Sequence, residues 1–270
     1  MDEQRAADLF DLVADDYDNV GVDFFGPIAS GLVEQLAPRP GEHVLDVGCG
    51  RGEVLLPMAA AVGASGRAVG IDVSAAMVEI ARSEAERAGV SVELHAVDGM
   101  VTGLPPASFD VLASSLVLFF MPDPQGAVRA WRELLRPSGR LGISTFGPYT
   151  ERWRDEVDAV LLHYAPPEVR DARTTGATGA FASDEAMEQL VRDAGFDHVR
   201  TVTTTVRPRF DDVAHWRRWS RSVGQRVLWD RIPADELPGV EAELAAAIDR
   251  FVAAEGHLGF DQQIRYTLAG

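Results

Sequence analysis

The chain of 270 residues contains no lysine: all 25 of its basic residues are arginine. That absence excludes Schiff-base and pyridoxal-phosphate chemistry on a chain lysine, and it excludes a P-loop, whose lysine reaches the nucleotide phosphates. Cysteine is almost missing as well. Cys49 stands alone, so no internal disulfide and no thiolate metal cluster can form, which suits a reducing compartment. The six histidines are scattered without H-E-x-x-H or other ligand spacing, and no metal site is expected. No apolar stretch reaches the roughly 18–20 residues that span a bilayer, and Asp2 and Glu3 have the wrong sign for a signal peptide. The expectation is a cytoplasmic protein with no membrane partner. A formal net charge of −17, with no basic stripe to offset it, opposes phosphate backbones and argues against a nucleic-acid partner.

What is present is enough apolar material for a sizeable core: 46% of residues are hydrophobic and 25% charged, which fits one globular domain with elaborations. From residue 41 to 146 strand and helix patterns alternate, and this predicts a parallel sheet covered on both faces. Expected strands are His43–Val47, Ala68–Asp72, Val90–Val97, Phe109–Ser114 and Arg140–Phe146. A helix is expected between Ser74 and Gly89, with Met77, Ile80 and Ala81 at helical spacing. Another is capped by Asp123 with Pro124 in its first turn, buries Val128, Trp131 and Leu135, and ends at Pro137-Ser138-Gly139. Ahead of this core, Ala6, Leu9, Phe10, Val13 and Tyr17 mark one face of a helix, and a second runs from Ile28 to Leu36. Behind it, Ser183 opens an amphipathic helix, and the segments Val199–Val206 and Phe260–Leu268 read as strands that pair antiparallel at a sheet edge. The organisation is thus an entrance segment (1–40), the alternating core (41–147), a first lid insertion (148–182), a helix and sixth strand (183–208), a second lid insertion (209–257) and a last strand (258–270).

The strongest chemical signal is Val44 to Gly52, Val-Leu-Asp-Val-Gly-Cys-Gly-Arg-Gly. An apolar strand ends in an acid and breaks into glycines at every second position, so backbone N–H groups can approach a ligand without Cβ atoms in the way. The helix that follows directs its positive end to the same place. Dinucleotides and S-adenosylmethionine are both bound by such a turn. The dinucleotide fingerprint G-x-G-x-x-G fails here, because Glu53 stands three after Gly50 and the third glycine comes early at Gly52. The spacing favours S-adenosylmethionine.

With these motifs the chain resembles the class I S-adenosylmethionine-dependent methyltransferases, in particular the small-molecule branch that includes the ubiquinone and menaquinone biosynthesis enzymes. The resemblance covers residues 5–146 and the final helix and two strands. It implies an α/β, doubly wound, Rossmann-like seven-stranded sheet, mostly parallel with an antiparallel last strand and helical lid insertions. It also implies roles. Asp46, Gly48, Cys49, Gly50 and Gly52 would hold the methionine end of the cofactor, with Cys49 a small packing residue in the turn. Asp72, followed by Val73, would bind the ribose hydroxyls through a carboxylate able to accept from both. Asp98 would accept from the adenine amino group with Gly99 and Met100 beside the ring, and Met77 stands between a core position and an adenine contact. Tyr17 would lie over the methionine region. Ser114 and Ser115 close the fourth strand, where the family touches the cofactor. Phe119 and Phe120 occupy positions at which many relatives carry histidines; with Phe25 they are read as an apolar wall for the methyl acceptor.

Methyl transfer from a sulfonium is an in-line displacement, in which alignment and exclusion of water matter more than catalytic side chains. Where a base is needed, the candidates are His163, His215, Tyr17 and Tyr149. Trp216 and Trp219 share a helical face and are read either as lining an acceptor pocket or as anchoring the lid helices to the core or to a second subunit, and the neighbouring Arg217, Arg218, Arg221 and Arg226 as meeting an anion or forming surface ion pairs. The function expected is methylation of a small-molecule acceptor, an aromatic or polyketide-like specialised metabolite, by a monomer or homodimer, with S-adenosylhomocysteine as product. Two alternatives remain at this level: an enzyme that binds S-adenosylmethionine but catalyses cyclisation or decarboxylation, and a nicotinamide-dependent oxidoreductase.

Overall fold

A computed structural model describes residues 10, 11, 14, 20–165 and 179–270. Its elements in order are α1 (Phe25–Leu36), β1 (His43–Val47), α2 (Leu55–Val62), β2 (Arg67–Asp72), α3 (Ala75–Ala88), β3 (Glu93–Ala96), β4 (Phe109–Ser115), α4 (Pro124–Leu134), β5 (Leu135–Tyr149), α5 (Glu151–Trp153), α6 (Ala159–Leu162), α7 (Asp184–Asp193), β6 (Val199–Val206), α8 (Val213–Ser222), α9 (Arg226–Trp229), α10 (Leu237–Glu255) and β7 (Gln262–Ala269). The seven strands form one sheet in the order β3-β2-β1-β4-β5-β7-β6. β1 pairs in parallel with both β2 and β4, and β5 in parallel with β4. β7 runs antiparallel between β5 and β6. This is the doubly wound, mostly parallel sheet expected.

Side-chain chemistry explains most boundaries. The Ser74 hydroxyl caps α3 by accepting from Met77 N–H, and Gly89 ends it in the left-handed conformation. The Asp123 and Ser183 side chains cap α4 and α7 in the same way. Val44, Leu45 and Val47 of β1, with Val111 and Leu112 of β4, are wholly buried, as strands covered on both faces require. α1 packs on β4, β5 and β7, α2 on β1 and β2, α3 on β2 and β3, α4 on β5, and α7 on β6 and β7.

Three expected boundaries move. The third strand begins at Glu93 and not Val90, because Val90 N–H bonds back to Ala85 O and so belongs to the helix cap. Leu135 leaves the helix and opens β5; the Pro137-Ser138-Gly139 triplet lies inside that strand, where the ladder to β4 shifts register between Phe109 and Val111. The last strand starts at Gln262, since Asp261 is turned aside to bond Thr150. Of the helix expected over Ala6–Tyr17, the described residues are Phe10, Asp11 and Ala14.

The expected lid insertions share an aromatic core. Trp153 stacks with Phe210 at 6.3 Å and meets Trp216, Phe251 and Phe260 at 6.0, 5.0 and 5.3 Å between ring centroids. A buried polar chain runs through the same region: Trp153 Nε1–H and Gln225 Nε2–H both donate to Asp158 Oδ1 at 3.2 Å, Ser220 Oγ–H donates to Gln225 Oε1 at 2.9 Å, and Trp229 Nε1–H donates to Ser220 Oγ at 2.8 Å. Asp158 closes a π-helical segment, Arg154–Asp158, between α5 and α6.

Candidate active site

β1 lies between β2 on one side and β4 on the other, so the connections leaving its C-terminal end and that of β4 part to opposite faces of the sheet and open a crevice. A cavity of about 270 Å³ fills this crevice. Its walls are Asp46 to Arg51, Glu53 and Val54 after β1, Ile71 to Val73 and Met77 after β2, Asp98 to Met100 after β3, and Ser115 to Val117 with Phe120 to Pro122 after β4. Phe10, Phe25 and Ala29 complete it.

The glycine turn is shaped by close approaches. Gly48 has φ +72°, and a Cβ placed there would lie 2.3 Å from Val117 Cγ2, so only glycine lets the β1 and β4 loops meet. Gly50 has φ +51° with open space beside it, and its N–H donates to Asp72 Oδ2 at 2.8 Å. Ser74 N–H donates to the other oxygen of the same carboxylate at 2.9 Å. Asp72 therefore ties the turn after β1 to the turn after β2, and a carboxylate with about four acceptor positions retains capacity for a further donor. Burial raises its pKa, partly countered by the backbone donors of Ser74, Gly50 and Val73, and the charge of Asp11 raises it further. Asp98 Oδ1 accepts from Met100 N–H at 2.8 Å, and Trp131 Nε1–H holds the Gly99 carbonyl at 2.8 Å from behind.

Asp46 is the most strained group electrostatically. It is 1% exposed, its Oδ1 has no hydrogen-bond partner among the described residues, and burial together with the Asp72 charge raises its pKa to about 8. A buried carboxyl in that condition, on a cavity wall, has an acceptor atom free for a donor or a cation that a ligand brings. Burial pushes the Cys49 thiol pKa upward, and the neighbouring Asp46 and Asp72 raise it further, which disfavours a reactive thiolate.

Residues 44–139 match the family model of a methyltransferase domain. The chain is 36% identical over 246 residues to Nocamycin O-methyltransferase of Saccharothrix syringae, covering 87% of this chain and 88% of that protein. The chain belongs to the class I S-adenosylmethionine-dependent methyltransferases. It is also 38% identical over 213 residues to Aklanonic acid methyltransferase DauC of Streptomyces sp. (strain C5), covering 75% of this chain and 96% of the relative. In fold it is similar to the YcgJ protein of Bacillus subtilis, with a TM-score of 0.61 at 18% identity over 90% of this chain and 97% of that one. The methyltransferase takes S-adenosylmethionine as its cofactor, and the nicotinamide alternative is set aside.

The cavity brings together Asp46, Gly48, Cys49, Gly50, Asp72, Val73, Met77, Asp98, Gly99, Met100, Ser115, Phe25 and Phe120 of the expected site. Others stand elsewhere. Gly52 does not line the cavity; its N–H closes the turn on Cys49 O and its α-carbon packs against Leu56. Ser114 is fully buried in β4, one residue from Ser115 and so on the opposite face of the strand. Phe119 turns inward onto Phe146 and Phe181, leaving Phe120 to face the cavity. Trp216 and Trp219 are 1% and 2% exposed, packed on Trp153, Trp229, Phe24 and Phe210, and line no part of the cavity. Among the candidate bases, His163 is exposed at the end of α6. His215 is buried with Nδ1 facing Asp211 and Nε2 3.0 Å from the Val20 carbonyl. Tyr149 is buried against Phe260. These three residues do not line the cavity; Tyr17 lies outside the described residues. Arg217 pairs with Glu241 at 2.7 Å and Arg226 with Asp230 at 3.4 Å, while Arg221 stacks over Trp229 at 4.5 Å.

The sequence reading missed Arg51, Glu53, Val54, Leu116, Val117, Met121 and Pro122 on the cavity wall, and Asp11 just outside it. Leu116 has φ +59°, a conformation no sequence pattern announces in leucine. Among the described residues no side chain beyond Pro122 lines the cavity.

Proposed function

We propose that this methyltransferase transfers the methyl group of S-adenosylmethionine to an oxygen of a small aromatic or polyketide-like specialised metabolite, by in-line displacement. One observation carries the reading: a single cavity is lined both by acids and a glycine turn and by the rings of Phe10, Phe25 and Phe120. The relatives named for Nocamycin and aklanonic acid methylation support the acceptor class and favour methyl transfer over a changed reaction.

The bound cofactor supplies an electrophilic methyl group on a positively charged sulfur. Asp46, with its unsatisfied Oδ1 beside the glycine turn, would hold the cationic methionine end. Asp72 would accept from the ribose while keeping Gly50 and Ser74 in place, and Asp98, with Gly99 and Met100, would hold the adenine. Phe25, Phe120, Met121 and Leu116 exclude water and hold a flat acceptor against the donor, which supplies the orientation on which displacement depends. A small molecule is the acceptor in this reading, not a nucleic acid, and the lone buried thiol of Cys49 suits the cytoplasm. Among the described residues no helix is long and apolar enough to cross a membrane.

Calorimetric titration with S-adenosylhomocysteine tests the cofactor half. Micromolar binding is expected for the natural chain, weakened about 100-fold or more in Asp72→Ala, roughly 3 kcal/mol. Equal affinity in both proteins would reject the assignment.

A further inference from the structure

Phe10, Asp11 and Ala14 reach the site from outside the sheet. Phe10 lines the cavity and meets Phe120 edge-on, 5.4 Å between ring centroids. Ala14 and Met77, each 2% exposed, form a small apolar cluster apart from the main core, with Phe10, Ala76 and Ile80 packed against it. Asp11 makes the polar contact. Its Oδ1 accepts from Ser74 Oγ–H at 2.5 Å and from Ala76 N–H at 3.3 Å. The first turn of α3 holds no acidic residue of its own, so its N–H groups and positive end are answered from a distant part of the chain.

Ser74 is the hinge of this contact. Its N–H is bonded to Asp72, its hydroxyl hydrogen to Asp11, and its oxygen to Met77 N–H at 3.1 Å. Asp11 and Asp72 thus meet across one serine.

We propose that Asp11 is a positioning residue that clasps the first turn of α3 and so seats Phe10 as a wall of the cavity, and that this clasp sets how long the cofactor is retained. The inference rests on the cofactor reading above. Ser74 bonds both carboxyls and the first turn of α3, so a donor that binds Asp72 and the Ser74–Asp11 contact bear on each other by reciprocal linkage. The raised pKa of Asp72, to which Asp11 contributes, reflects the same proximity. Acting through Phe10, the clasp excludes water at the junction of the donor and acceptor ends without touching either.

Stopped-flow displacement of S-adenosylhomocysteine tests this. Asp11→Ala is expected to release the ligand about tenfold faster while its melting temperature stays within about 2 °C of the natural chain. Asp11→Asn, which keeps an acceptor oxygen, is expected within about threefold. Phe10→Ala should speed release similarly, and the Asp11→Ala/Phe10→Ala pair should be no faster than the quicker single variant, because both act through one wall. A natural-chain release rate in Asp11→Ala, or fully multiplicative effects in the pair, would overturn the clasp. Failure of the natural chain to bind S-adenosylhomocysteine would instead overturn the cofactor reading.

Discussion

At the scale of single residues, Asp46 differs from the other acids of the site in having one buried carboxylate oxygen without a partner among the described residues. Burial and the charge of Asp72 push its pKa up to about 8, against 3.8 for an unperturbed aspartate. A native pKa above the unfolded one means the fold holds the extra proton. The stabilising contribution is complete below pH 4 and is lost as pH rises through 8. Asp46→Asn keeps the shape and cannot ionise. Its melting temperature should therefore match the natural chain near pH 4 and exceed it above pH 8, by about 2–4 °C for each kcal/mol recovered. A parallel pair of melting curves across that range would refute the assignment. Asp46 was legible in the sequence because an acid closing an apolar strand before a glycine turn is a local pattern. Its raised pKa was not, since that depends on burial in the folded sheet and on Asp72, which is 26 residues away along the chain. The four candidate bases show the converse: histidine and tyrosine were chosen by type, and type says nothing about which way a side chain faces in a helical insertion.

At the scale of elements, the loops after β1 and β4 act as a fitted pair. Gly48→Ala would drive a methyl group into both γ-carbons of Val117, 2.3 and 2.8 Å away, and would hold alanine at φ +72°. The expected cost is about 1–3 kcal/mol of stability, with weakened cofactor binding. Val117→Ala removes the two struck carbons and should return part of that loss in the double variant, the left-handed strain of about 1 kcal/mol remaining. Simple addition of the two single effects in thermal unfolding would show that the loops are independent. Leu116 sits in the same junction, held at φ +59° with its N–H on Ser144 O at 3.0 Å and with Ser115 Oγ 2.8 Å from Ser144 Oγ. The strands were readable from their apolar runs and bounding turns. This junction was not, because it is made by a register between β4 and β5 that no single segment encodes.

At the scale of the whole molecule, the two helical insertions are one body. Trp153, Trp216, Trp219 and Trp229 belong to its centre, where large rings bury against one another and not against the cavity. Trp216→Ala should cost about 3–5 kcal/mol of stability with cofactor affinity unchanged in whatever fraction remains folded. Phe120→Ala should do the reverse, leaving the melting temperature nearly constant and changing acceptor KM. An acceptor KM shift in a stable Trp216→Ala protein would return the tryptophans to the substrate.

The cavity wall draws on no described side chain after Pro122, although more than half of the chain follows that proline. β5, β7, β6 and the helices around them therefore serve as a foundation. Under the function proposed above, variation among Phe10, Phe25, Ala29 and the loop from Ser115 to Pro122 is expected to change the choice of molecule methylated, and variation among the described residues of the foundation to change the amount of folded enzyme. A search for new acceptors starts from those wall positions.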